Sequence, residues 1–164
     1  MIRMKTLFFT LLTILLSSCE SSKSENEVIG LWQLHSMDQY NNDSNTYSPY
    51  RNGMQGHILY GEKAMSLHLQ TQGYEDFPFQ FPNFNDTIPL EALKHLTKNY
   101  NYFAFYSIDS KNGVITHKRI SHSNPKEGND MVERKFDIKN DTLYMQPVEQ
   151  KNANIRLKWV RRSN

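Results

Sequence analysis

Apolar and polar residues alternate in short runs along most of this chain, and clusters of Asn, Asp, Gly, Ser and Pro separate the runs. Eight runs are legible: Val28–Gln39, Met54–Tyr60, Ala64–Gln70, Asn101–Ile108, Val114–Ser121, Met131–Ile138, Thr142–Pro147 and Asn154–Arg161. A period of two, rich in aromatic and β-branched residues, is the pattern of a strand with one buried face. The stretch "YNNDSNTYSPYRNG" after the first run reads as a polar loop, and "GEK" joins the second run to the third. The connections Asp109–Gly113 and Lys139–Asp141 are short and rich in Asn, Asp and Gly, so their flanking runs are expected to pair as hairpins. Sequential antiparallel strands with tight turns are satisfied by closure into an up-and-down barrel, which leaves no open edge. The pattern therefore predicts an all-β fold: an eight-stranded antiparallel barrel, just wide enough to enclose one small ligand.

One segment departs from this meander. Thr71–Tyr100 begins with "YEDFPFQFPNF" and continues with "DTIPLEALKHLTKNY". Asp86 or Thr87 is placed to cap a short helix over Ile88–Thr97, with Pro89 in its first turn. This insertion between the third and fourth runs is expected across one barrel mouth. Its aromatics Tyr74, Phe77, Phe79, Phe81 and Phe84 would form a lid there, or plug the barrel end.

The front of the chain has a different pattern. Arg3 and Lys5 precede an apolar run, Leu7 to Leu16, broken only by threonines. That is the layout of a secretory signal and is too short for a membrane span. The run ends in Leu16-Ser17-Ser18-Cys19, which resembles the bacterial lipobox. The resemblance implies cleavage before Cys19, lipid attachment to its thiol, and, with Glu20 following, sorting to the outer membrane. Several acyl chains on one residue hold a protein firmly where a single chain does so only marginally. The segment "ESSKSENE", Glu20 to Glu27, has no large apolar residue and reads as a flexible tether. The expected organisation is a signal peptide over 1–18, a tether over 19–27, and one barrel domain over 28–164.

Charge narrows the function classes. Arg3 and Lys5 account for the formal excess of +2, so the mature chain is close to neutral. No basic patch suggests a nucleic acid partner. Cys19 is the sole cysteine, so the domain has no disulfide and depends on its core. No Gly-rich phosphate loop, Gly-x-Ser-x-Gly elbow or metal-type His/Cys spacing occurs. No catalytic residue, metal ligand or cofactor is assigned, and His35, His57, His68, His95 and His122 are scattered without a pattern.

Several motifs in order resemble the bacterial lipocalin-like domain family. They are "GLW" (Gly30 to Trp32), "GHILY" followed by "MSLHL", "YFAFYSID", "GVITH", "ERKFDIKNDTL" and "LKWVR", spanning nearly all of Ile29–Arg161. Ala104 stands where the family pattern has glycine, and the spacing shifts by one residue before Arg134, which leaves the orientation of that side chain open. The resemblance implies a ligand-binding barrel closed at one end by Trp32, with Arg161 stacked across it as a structural partner. Arg156 is the competing partner for Trp32.

Alternation groups Tyr102 and Tyr106 with Ala104, His117 with Ile115 and Arg119, and Arg134 with Phe136 and Ile138. If these faces point inward, Tyr102, Tyr106, His117, Arg134 and Phe136 would line a mostly apolar site for a small hydrophobic molecule, with His117 and Arg134 orienting a polar or anionic group. A self-satisfied polar network in the core is the equal alternative, because buried polar groups must find partners. The leading expectation is a carrier, anchored in the cell envelope by lipid on Cys19. The rivals are a barrel enzyme for isomerisation or cyclisation, using His117 as acid–base, and a ligand-free envelope scaffold protein.

Overall fold

The computed structural model describes residues 27–78 and 87–163. The signal peptide, the lipobox with Cys19, nearly all of the tether and the aromatics Phe79, Phe81 and Phe84 lie outside the described residues. Nine strands follow one another: β1 (Gly30–Asn41), β2 (Thr46–Pro49), β3 (Met54–Tyr60), β4 (Ala64–Thr71), β5 (Asn99–Asp109), β6 (Val114–His122), β7 (Met131–Lys139), β8 (Thr142–Pro147) and β9 (Ile155–Arg162). From β3 to β9 each strand pairs antiparallel with the next, β1 pairs with β3, and β1 also pairs with β9 from Leu31 to Gln39. The result is a closed eight-stranded antiparallel barrel with one extra strand.

That extra strand is β2, in the stretch expected to be a polar loop. It pairs with the far end of β1, Asp38 opposite Pro49 and Asn41 opposite Thr46. All four of its residues are exposed, so burial imposes no alternation that could announce it. Asn45 turns the hairpin at φ 53°, a conformation that asparagine tolerates better than most residues. The two expected hairpins form as well. In the first, Asp109 Oδ1 accepts from the Asn112 amide at 3.0 Å and Gly113 takes φ 63°; in the second, Asn140 takes φ 53°.

Two bulges reset which residues face inward. His35 is the extra residue in β1, and beyond it Met37 rather than Ser36 turns into the barrel. Ile120 is the extra residue in β6, and beyond it His122 turns in while Ile120 stays exposed.

The barrel has two unlike ends. At one end lie the tight turns after β3, β5 and β7 together with both termini of the described chain. Here Trp32, Tyr60, Met65, Ala104, Ile115, Leu143 and Trp159 fill the interior and are almost fully buried. The long connections gather at the other end, and there the packing is incomplete.

The insertion between β4 and β5 does not cross the open mouth in its described part. Glu75 accepts hydrogen bonds from Gln55 and Gln70, which are opposite each other on the outer face of β3 and β4. Gln70 is covered there despite pointing outward. The helix α1 spans Leu90–Leu96, shorter than expected, with Pro89 at its N-cap and no side-chain cap. Its buried residues are Ala92 and His95, and the His95 ring is sandwiched between Tyr74 at 4.4 Å and Phe77 at 4.1 Å. Tyr74 and Phe77 therefore clamp the helix rather than cover the mouth.

Candidate functional site

At the open end the barrel encloses a cavity of about 160 Å3. Its apolar wall comes from inward positions of β3, β4, β8 and β9: Ile58, Leu67, Leu69, Met145, Leu157 and Trp159. Tyr50 and Arg51 from the β2–β3 connection and Asn152 from the β8–β9 connection also line it. The volume is below the roughly 300–1,000 Å3 of sites for drug-sized ligands, and close to the ~150 Å3 that holds a benzene ring. Met37, Met54 and Met145 line it as well; their unbranched, flexible side chains can shift to admit a larger guest.

His117 stands in the wall on β6. Tyr102 Oη lies 2.8 Å from its Nδ1 and Tyr60 Oη lies 2.9 Å from its Nε2, so both ring nitrogens are engaged. Burial, reinforced by the charges of Arg134 and Arg119, lowers the His117 pKa from 6.5 to about 3. The ring is therefore neutral near pH 7, with one N–H and one lone pair. Burial also raises both tyrosines above their ordinary value of 10, so both stay protonated. Neither hydroxyl has another acceptor among the described residues, but Tyr102 lines the cavity and Tyr60 does not, so we assign Tyr60 as the donor to Nε2. That places the imidazole proton on Nδ1, donated to Tyr102, whose own O–H is left to donate elsewhere.

Arg134 also lines the cavity, which answers the question left open by the sequence. Its Nη1 donates to both oxygens of Glu149 at 2.8 and 2.9 Å and to the Glu133 carbonyl at 2.8 Å. Two other expected site residues lie elsewhere. Tyr106 donates to the Gly61 carbonyl at 2.6 Å among the tight turns, and Phe136 packs in the core without touching the cavity. Trp32 and Arg161 meet at the filled end, with the guanidinium carbon 4.0 Å from the ring centroid, while Arg156 lies over Tyr47 instead.

Alternation could have revealed Tyr60, because it shares the inward face of "GHILY" with Ile58. Arg51 could not be found that way, since it sits in an irregular connection. Of the cluster behind Tyr102, Arg119 shares the alternating face of His117, whereas His122 is displaced by the bulge. There the buried Arg119 donates to Glu127 at 2.9 Å and to Tyr100 Oη at 2.6 Å, with its guanidinium carbon 4.9 Å from the Tyr102 ring. His122, brought inward by the bulge, stacks on Tyr102 and accepts from the Asn124 amide at 2.7 Å. Burial, then the charge of Arg119, lowers its pKa. Among the described residues, no group of His, Cys, Asp and Glu could hold a metal ion.

None of the curated proteins compared matches the chain. Among solved structures, a redesigned β barrel is similar with 11% identity, over 84% of this chain and 94% of that one, at a TM-score of 0.40. The model of the lipocalin-like domain family matches residues 29–162, the whole barrel from the turn before β1 to the last residue of β9. By that match the chain belongs to the lipocalin-like domain family.

Proposed function

We propose that this protein holds a small, largely apolar molecule in the cavity at the open end of its barrel. The observation that carries the reading is the cavity itself: an apolar chamber whose wall holds a fixed Tyr102–His117 pair and leaves one tyrosyl O–H to spare. Membership of a ligand-binding family supports it in general terms. Burial of ligand surface would supply the affinity, at roughly 25 cal/mol per Å2 of apolar area before the costs of association. Trp159 lines the cavity and serves as an internal reporter. Protein recovered from its native cells, examined by native mass spectrometry, is expected to carry an added small mass. Extracting that molecule should change the Trp159 fluorescence and returning it should restore the signal. A chain that arrives empty and whose fluorescence no apolar probe disturbs would refute the reading.

The same proposal includes a lipid anchor on Cys19, in the cell envelope and on the outer membrane. The lipobox sequence supports it, and the geometry is compatible. Arg161 Nη2 donates to the Glu27 carbonyl at 2.6 Å, so the tether leaves from the filled end and the mouth faces away from it. Beside that exit, Leu31 sits opposite Leu59, and Phe103 and Phe105 are exposed on the same outer face. Such a patch suits contact with a lipid surface. Replacing Cys19 with serine should move the protein from the membrane to the soluble fraction; unchanged membrane retention would count against the anchor.

A further inference from the structure

The cavity is unbalanced in its polar groups. Among the described residues no Asp or Glu lines it, whereas Arg51 and Arg134 both do. Arg51 has no carboxylate partner among the described residues, and its guanidinium carbon lies 5.3 Å from the neighbouring Tyr50 ring. Every hydrogen bond of Arg134 uses Nη1, so its Nε and Nη2 have no partner among the described residues. Tyr100 accepts from Arg119, and Tyr102 accepts from His117, so each has an O–H still to give. Trp159 Nε1 is buried without an acceptor among the described residues. Against these donors, the Asn152 carboxamide is the one uncommitted side-chain amide in the wall among the described residues. A site of surplus donors, with one guanidinium lacking a carboxylate and a second paired through Nη1 alone, is complementary to a group that only accepts and is negative.

We propose that the guest of this cavity is a small apolar acid bound as its anion. Its body, about one aromatic ring in size, would lie against Ile58, Leu67 and Leu69, and its oxygens would be held by Arg51 and Arg134. This inference rests on the carrier reading above and names the class of its ligand. Glu149 is the internal competitor. It sits on the β8–β9 connection and occupies Arg134 Nη1, so an entering carboxylate shares or displaces it. The guanidinium fork suits a carboxylate, which can engage two of its N–H groups at once.

Three probes of matched shape test the charge: 3-phenylpropanoate, 3-phenylpropan-1-ol and 3-phenylpropylammonium, titrated calorimetrically into the mature chain at low ionic strength and pH 7. The anion is expected to bind at least about tenfold more tightly than the alcohol, with the ammonium weakest. Arg51→Gln, at an exposed position, should narrow the gap between anion and alcohol. Glu149→Gln should widen it, because Arg134 is then released from its partner. Equal affinities for the three probes, or a preference for the ammonium, overturn the anion assignment while leaving an apolar carrier intact. Binding of none of them overturns both.

Discussion

Tyr60 and His117, 57 residues apart in the chain, meet inside the barrel with Oη 2.9 Å from Nε2. Their strands β3 and β6 are not neighbours, since β4 and β5 lie between them. The bond therefore spans the interior and fixes the imidazole that separates the packed half of the barrel from the hollow half. With Tyr102 on the other ring nitrogen, the neutral imidazole takes one hydroxyl as donor and the other as acceptor, and the hydroxyl that accepts keeps an O–H to spare; Tyr102 is the one of the two that lines the cavity. A self-satisfied network and a ligand site are thus the same object here, because the network passes its one spare donor to the cavity side.

The first consequence is a pH dependence. Folded His117 protonates only near pH 3, whereas the unfolded residue does so near 6.5. Below pH 6.5 the unfolded chain binds a proton that the folded chain refuses, so stability falls as the pH drops and levels off near 3. One such group costs about 2 kcal/mol between pH 7.5 and 5. His122, also lowered by burial, acts in the same direction. Urea midpoints measured over that window should fall for the parent chain. In His117→Gln, which keeps a donor and an acceptor without titrating, the slope should be clearly smaller. An unchanged slope in the variant would show that His117 is not the group responsible.

Removing one hydroxyl tests the network directly. Tyr60→Phe leaves His117 Nε2 buried without a partner, at a cost of about 1–3 kcal/mol. In the double variant with His117→Leu the orphaned nitrogen is gone as well. The loss should then be less than the sum of the two single losses, a coupling readable from equilibrium unfolding. Strict additivity would mean that the hydrogen bond carries no energy.

The residues differ in how far their places could be read from sequence. Strands that bury one face advertise themselves, because the core demands an apolar side chain at every second position; β3, from Met54 to Tyr60, is such a case. The exposed β2 has no such demand and passed for a loop. Parity fails at bulges: nothing in "KRISH" reveals that Ile120 is the residue left out and that His122 turns inward. The place of the insertion is hidden for a related reason: composition does not say whether its aromatics cover a mouth or, as Tyr74 and Phe77 do, stack on a histidine of the following helix. His117 and Arg134 were legible as neighbours of the cavity, whereas Arg51 depends on an irregular turn with φ 49°.

At Gly56 the backbone of β4 lies close over β3. The glycine's φ is 150°, and a methyl group there would lie 2.0 Å from the His68 carbonyl oxygen. Gly56→Ala must part the two strands or twist the backbone, so it should cost roughly 2–4 kcal/mol in thermal unfolding. A variant that melts with the parent would show that the barrel yields there without strain.

Arg161 and Arg156 offer a paired comparison at the barrel seam. Arg161 covers Trp32 and donates to the Ile29 carbonyl at 2.7 Å and the Glu27 carbonyl at 2.6 Å. Arg156 is half exposed, over Tyr47 and beside Asp38. Arg161→Met should therefore cost about 2–3 kcal/mol and speed hydrogen exchange at residues 27–30. Arg156→Met should cost under about 1 kcal/mol. Equal losses would contradict the assignment of Arg161 as the barrel's closing cation.

The hollow half can be tested by filling it. Leu69 is almost fully buried and faces the cavity, so Leu69→Phe places extra ring volume in empty space rather than against packed neighbours. Into a tight core such a change costs about 1–3 kcal/mol. Into a chamber of about 160 Å3 it should instead stabilise by about 0.5–2 kcal/mol. The two signs separate a real cavity from one that closes in solution. The same variant should lose affinity for 3-phenylpropanoate, because the added ring takes the place of the guest's body. Met54→Ala acts in the opposite sense: it enlarges the chamber, lowers stability and shifts preference toward bulkier probes. A Leu69→Phe chain that is destabilised yet binds the probe as before would mean that ligands enter somewhere other than the barrel interior.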